Sequence, residues 1–297
     1  MIDIDLVELD ARYATIRERV ARAAAKSGRR ADDIILVAVT KFAEPEQIRR
    51  LIEIGHRDFG ENRVQQLVQR AAMVEEHLTR LRVLPQTLGR AGSSQAGRSL
   101  IDLEKAAMPA IGSGGKEPVR WHMIGHLQRN KARKACEVAR LIHSVDSLRL
   151  AEELQVIALR REKPLDLLVE VNCSGEASKQ GCPVPAAGPL AEQIDTMINV
   201  RVRGLMTMAA PTANPEETRE TFARCRELFE EIRKTGVADG AFNLLSMGMS
   251  GDFEVAIEEG ANIVRVGSAI FGERDLESEP ADEEESIDDH DEDERRR

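Results

Sequence analysis

The chain has 297 residues, 42% hydrophobic and 32% charged, enough apolar material for a full core and far too polar for a membrane protein. Its 42 Lys and Arg stand against 52 Asp and Glu, and residues 277–297 alone carry twelve acids and three bases, so the rest of the chain is nearly neutral. Nine aromatic residues, seven Phe with Tyr13 and Trp121, are too few for a base-stacking platform, and nucleic acid is not an expected partner.

The N-terminus begins Met1-Ile2-Asp3-Ile4-Asp5, with neither a basic stretch leading into an apolar run nor a membrane-length segment, so a cytoplasmic protein is expected. Residues Ile4 to Ala25 place Leu6, Leu9, Tyr13, Ile16 and Val20 near helical spacing, predicting an extra helix that covers one end of the fold. Ile34 to Thr40 is a continuous apolar, β-branched run, the pattern of a strand covered on both faces, and Lys41 ends it. A helix over Glu44–Ile54 follows, with Pro45 in its first turn and Gly55 as its stop.

The alternation then repeats. Strands are predicted at Arg57–Gly60, Trp121–Ile124, Ile142–Val145, Leu165–Asn172, Val202–Met206, Phe242–Ser246 and Asn262–Val266. Helices are predicted at Glu61–Leu78, Gln128–Arg140, after a Ser147 cap, at Pro183–Ile198 and after Asn214-Pro215. Eight strand-helix units in about 240 residues suit a closed (β/α)8 TIM barrel over residues 1–275 better than an open doubly wound sheet.

Two segments break the pattern. Residues 79–120 contain Gly89-Arg90-Ala91-Gly92 and Gly112-Ser113-Gly114-Gly115, predicting a flexible insertion on the N-terminal face, with one helical turn at Ile101–Met108. Residues 276–297 are predicted to be a disordered acidic tail. Cys136, Cys173, Cys182 and Cys225 lack metal or redox spacing and read as small buried hydrophobes.

In such a barrel, chemistry sits where strands end. That selects Lys41, Glu61-Asn62, His126, Asn172, Met206, Ser246 and Arg265 to Ser268. A lysine at the edge of a dry core loses stability as the ammonium, and a neutral amine is what Schiff-base chemistry needs. The same spacing also suits a lysine that snorkels to solvent. Gly267 allows close approach to the backbone, and the Gly267 and Ser268 amides would face an anion such as a phosphate, with Ser246 adding a hydroxyl. Gly115-Lys116-Glu117 lacks the glycine, hydroxyl and preceding strand of a phosphate loop. His122 and His126 bracket a strand end and do not share a helix face, so a metal site is not expected. Glu170, Glu176 and Asp252 read as solvated or capping carboxylates.

Six ordered blocks now stand together: Val37-Ala38-Val39-Thr40-Lys41, Phe59-Gly60-Glu61-Asn62, Trp121 to Lys131, Gly204 to Met208, Leu245 to Asp252 and Val264 to Gly272. They resemble the YggS/PROSC pyridoxal phosphate homeostasis proteins. The resemblance implies a barrel of the alanine racemase N-terminal type (fold type III), with pyridoxal 5'-phosphate held as an imine on Lys41. It implies that Ser246, Gly267 and Ser268 hold the phosphate, that Arg265 faces the pyridine nitrogen, and that Asn62 and Met206 line the ring. Ser268 and Phe42 stand where many relatives carry threonine.

An arginine beside the pyridine nitrogen leaves the ring unprotonated and a poor electron sink. A racemase of this type also needs a second base from another domain and chain, and no such domain is apparent. The expected function is therefore a non-catalytic carrier that limits free aldehyde and supplies client enzymes, acting as a monomer. The rivals are a pyridoxal-dependent racemase and a cofactor-free Schiff-base aldolase.

Overall fold

The computed structural model describes residues 6–88, 117–176 and 179–272. Among them, eight parallel strands form a closed ring: β1 (Ile35–Val39), β2 (Asp58–Glu61), β3 (Arg120–Met123), β4 (Ala139–Val145), β5 (Leu165–Asn172), β6 (Val200–Met206), β7 (Leu244–Ser246) and β8 (Ile263–Val266). β8 returns to pair with β1, Val37 standing opposite Arg265 and Ala38 opposite Val266. The barrel expected from the apolar runs is thus present. A two-residue strand, Cys182–Pro183, pairs with the end of β5 outside the ring.

The helices are α1 (Leu6–Lys26), α2 (Pro45–Glu53), α3 (Val64–Leu88), α4 (Arg129–Val138), α5 (Leu148–Arg160), α6 (Val184–Asp195), α7 (Arg219–Lys234), α8 (Phe253–Glu258) and α9 (Ser268–Phe271). Pro45 opens α2, where its missing N–H costs nothing, and the Gln47 side chain accepts from the Glu44 amide. Ser147 occupies the cap position of α5, but its hydroxyl makes no capping bond there. Asn214 does cap: its Oδ1 accepts from the Glu216 amide and starts the 3-10 turn Pro215–Thr218 that leads into α7.

The extra N-terminal helix forms, but it does not lie over an end of the barrel. It runs along the outer ring against α8 and α9. Arg12 donates to the Ile270 carbonyl near its start, and Lys26 pairs with Glu258 near its end. The physical reason is that α9 has four residues and α8 six, too short to cover β8 and β1. Leu9, Ile16, Val20 and Ala23 supply the missing apolar face.

The segment predicted as a flexible insertion is in part helical, since α3 continues ten residues past the expected end, to Leu88. Residues 89–116, with the helical turn predicted at Ile101–Met108, and the tail at 276–297 lie outside the described residues. All four cysteines are buried and none forms a disulfide, as small hydrophobes would be. Among the described residues no helix is long and apolar enough to cross a membrane.

The apolar residues divide into two cores. The large one fills the layer between strands and helices, with Phe59, Phe222, Phe242 and Phe253 fully buried. The small one, Val37, Leu141, Leu168, Met206 and Ile263, fills the inside of the ring. Because side chains alternate along a strand, the residues two further along point inward as well. Those residues are polar: His143 follows Leu141, Glu170 follows Leu168, and Arg265 follows Ile263.

Candidate functional site

Parallel strands in one ring end at one mouth, so the residues expected from the strand ends are necessarily gathered there. Lys41 lies two residues beyond β1. Its side chain is exposed rather than set in the dry core, with Nζ 4.7 Å from the centre of the Phe42 ring. Of the two placements the spacing allows, the structure has the solvent-facing one: β1 stops at Val39, Thr40 stays buried, and Lys41 follows it into the loop.

That loop is clamped. Glu61, at the end of β2, is fully buried and accepts from Thr40 Oγ1 at 2.5 Å and pairs with Arg70 Nε at 2.8 Å. Arg70 Nη1 in turn donates to the Ala43 carbonyl at 2.7 Å. Burial pushes the Glu61 carboxyl above its usual range, against the bond from Thr40 and the charge of Arg70. Replacing Glu61 by Ala should lower stability by about 2 kcal/mol by stranding Arg70 and freeing the Lys41 loop. An unchanged urea midpoint at pH 7 would contradict the clamp.

Asn62 is exposed at the same mouth, pressed against the β3–α4 turn. A Cβ on Gly125 would lie 2.3 Å from the Asn62 carbonyl oxygen, so glycine is what lets the two loops touch. Met206 is buried in the inner cluster. His126 is exposed, 3.9 Å from Asp146, while His122 is buried within the ring, so the two histidines do not converge. Asn172 shapes its own loop, accepting from Ser174 Oγ and the Gly175 amide.

The β7 and β8 ends hold a small donor array. Gly267 and Ala269 direct their amides at one hydroxyl oxygen, at 3.1 and 3.4 Å. That oxygen belongs to Ser250, not Ser246. The chain reverses between the two serines at Gly248, which has φ +88° and whose Cβ would sit 2.6 Å from that of Ala256. Asp252 fixes the turn by accepting from the Met249 amide at 2.6 Å; it stands at the N-cap of α8, but its side chain makes no capping bond to that helix. Ser268 is exposed beside this array.

Ser246 points into the ring instead. Its Oγ accepts from Arg265 Nη1 at 2.5 Å and lies 3.0 Å from His143 Nδ1, while Arg265 Nη2 donates to the Thr207 carbonyl at 3.0 Å. Burial brings the guanidinium down to about 10, with Glu170 and Asp252 opposing the shift. Glu170 is neither solvated nor a cap. It is buried on β5 with one carboxyl oxygen unbonded, and burial, reinforced by Asp146 and opposed by Arg265, pushes it up to about 7.

Sequence reasoning thus missed Ser250, His143 and the burial of Glu170. The period of two along β4 and β5 carried the signal for the last two. The donor array, the interior arginine and the adjoining lysine sit on a barrel whose sequence matches the model of the alanine racemase N-terminal domain over residues 4–275. The chain belongs to that family. It is 35% identical over 263 residues to the pyridoxal phosphate homeostasis protein of Aquifex aeolicus, covering 89% of this chain and 97% of that one. The protein of the same name from Pseudomonas aeruginosa is 35% identical over 262 residues, covering 88% and 94%. Among solved structures, PipY of Synechococcus elongatus with pyridoxal phosphate bound superposes with a TM-score of 0.65 at 29% identity, covering 89% and 100%.

Proposed function

We propose that this family member binds pyridoxal 5'-phosphate at the mouth of the barrel and keeps it as a reversible Schiff base on Lys41, limiting free aldehyde and supplying client enzymes. The observation that carries the reading is the adjacency of two unlike groups on hydrogen-bonded strands. Lys41 follows β1, and the Gly267 and Ala269 amides with Ser250 follow β8. An amine beside an anion-binding array suits a molecule that carries both an aldehyde and a phosphate.

The residues present fit that molecule. Ser250 Oγ takes up both amides, so its own hydroxyl hydrogen, the exposed Ser268 and the close backbone at Gly267 are what this array offers a phosphate. A Cβ at Gly267 would meet the Val39 carbonyl at 3.3 Å, so glycine also keeps this array close to the lysine strand. The names of the relatives and the ligand of PipY support the same cofactor.

When bound, the cofactor supplies an electrophilic aldehyde and a ring able to accept electron density. The chain supplies the rest. Lys41 provides the nitrogen, Asn62 and Met206 border the ring, and Gly267, Ser268 and Ser250 hold the phosphate. Ser246, proposed from the sequence for the phosphate, acts here through Arg265. Arg265 remains charged at neutral pH and offers donors without an acceptor. Such a neighbour disfavours protonation of a ring nitrogen, which favours holding the cofactor over turning over amino acids. All these groups come from one chain, so a monomer is sufficient.

The test uses the loaded protein with L- or D-alanine in heavy water. No deuterium is expected at Cα, and its incorporation would overturn the binding-only reading. Borohydride reduction should fix one cofactor per chain on the Lys41 peptide. Reduction that instead traps a sugar phosphate on cofactor-free protein would favour an aldolase.

A further inference from the structure

Five buried or half-buried groups make one hydrogen-bonded line through the inside of the barrel. Arg265 Nη1 reaches Ser246 Oγ at 2.5 Å, and Ser246 Oγ lies 3.0 Å from His143 Nδ1. His143 Nε2 lies 3.0 Å from His122 Nδ1, and His122 Nε2 lies 3.1 Å from Asp58 Oδ1. Asp58 is anchored by Arg120, whose Nε and Nη2 donate to the two carboxyl oxygens at 2.8 and 2.7 Å. The line starts at the N-terminal mouth and ends beneath the proposed cofactor. β4 and β7 are not neighbours in the ring, so the His143–Ser246 bond crosses the interior.

Counting hydrogens gives the line a direction. Arg265 can only donate, so Ser246 accepts from it. The Ser246 hydrogen then goes to His143 Nδ1. A neutral His143 carries its hydrogen on Nε2 and donates to His122 Nδ1, and His122 likewise donates from Nε2 to the Asp58 carboxylate. Every link is used once. The competing arrangement makes His122 an imidazolium and puts the His143 hydrogen on Nδ1. It leaves the hydrogen of the fully buried Ser246 without a partner in the line, which is costly.

Burial holds His143 well below the usual histidine range, with the charge of Arg265 acting the same way. On Asp58, burial is outweighed by the bonds from Arg120 and His122, so its carboxyl lies well below the carboxylate range. Arg265 is faced by Glu170 from β5, Asp252 from the loop before α8 and Cys225 from α7.

We propose that His143, braced by His122 and Asp58, is a positioning residue that fixes Ser246 as an acceptor and thereby aims the Arg265 guanidinium at the ring nitrogen of the cofactor. This rests on the pyridoxal phosphate reading, but its first test does not. In unloaded wild-type protein, imidazole 15N shifts at pH 7 should show both rings neutral with the hydrogen on Nε2. An imidazolium at His122, or the hydrogen on Nδ1 of His143, overturns the proposal.

The second test compares two substitutions in protein loaded with pyridoxal phosphate. His143→Leu fills the site but accepts nothing, whereas His143→Asn leaves a gap and can still accept from Ser246. Leu is expected to weaken cofactor retention about tenfold, the loss of one hydrogen bond to a charged group's partner, and to shift the pH midpoint of the visible band. Asn should restore most of both. Equal behaviour of the two, or an unmoved band in His143→Leu, overturns the proposal, and His122→Leu serves the same comparison if His143→Leu does not fold. A wild-type protein that fails to retain pyridoxal phosphate sinks the functional reading, while the 15N result still decides the hydrogen-bonded line.

Discussion

Replacing Lys41 by alanine is expected to remove the visible absorbance of protein incubated with pyridoxal phosphate and to abolish the adduct fixed by borohydride. The reasoning is geometric. Lys41 leaves β1 at the strand that pairs with β8, so its amine and the Gly267–Ser250 array lie on adjoining strand ends. The side chain is exposed, with its amine over the Phe42 ring rather than tied to a carboxylate in an ion pair. Lys179 provides the control. It follows β5 at the same mouth, with its carbonyl 3.5 Å from Asn172 Nδ2, and lies by Glu176. Lys179→Ala should keep the colour. An adduct of normal stoichiometry in Lys41→Ala would refute the assignment of the nitrogen, whereas unaltered phosphate-dependent binding without colour would support it.

The barrel was legible because its strands are covered on both faces. Leu165–Asn172 is read to the residue, and β1 differs from its predicted span by one residue at each end. A run of apolar, β-branched residues has few other ways to be dry. Boundaries failed where tertiary packing decided them. β4 begins at Ala139, three residues early, because its first residues pair with Trp121 and His122 of β3. The run from Ile34 to Thr40 does not show that the strand ends before Lys41, since Thr40 is tied to Glu61 by a bond between separate units.

The mouth that holds the proposed site was legible in outline, and the interior beneath it was not. Strand ends supplied Lys41, Asn62, Arg265, Gly267 and Ser268, since parallel topology puts them at one mouth. Two serines four residues apart, Ser246 and Ser250, are equivalent on paper. The left-handed turn at Gly248 separates them, sending one into the ring and the other to the amides. His143 was hidden by its neighbours, as it stands in an apolar strand and finds Ser246 across a space that exists only once the ring closes. Glu170 was misread for the same reason. Its depth is set by strands from elsewhere in the chain, and a carboxylate next to Val169 and Val171 carries no local mark of that depth.

The second large effect is therefore expected at Glu170, where substitution by glutamine should stabilise the protein at alkaline pH and do little at acid pH. Burial, aided by Asp146 and opposed by Arg265, raises this carboxyl from 4.5 to about 7. A raised carboxyl pKa means that the folded state prefers the protonated form. Its contribution is fully present below the unfolded value and is lost as pH rises through about 7. At pH 8 the wild-type protein holds an ionised, incompletely bonded carboxylate inside the barrel, which glutamine avoids at the same shape. The gain at pH 8 should approach about 3 kcal/mol, because each tenfold difference in proton affinity between the folded and unfolded chain is worth about 1.4 kcal/mol. His56, whose burial lowers it to about 4, has the opposite slope, since its contribution is present above the usual 6.5 and is lost as pH falls toward 4. The two groups bound the stable range from opposite sides, so Glu170→Gln should extend the alkaline limit and leave the acid limit in place. Urea unfolding of both proteins at pH 5 and pH 8 measures this, and an equal difference at the two pH values would show that Glu170 is already charged in the fold.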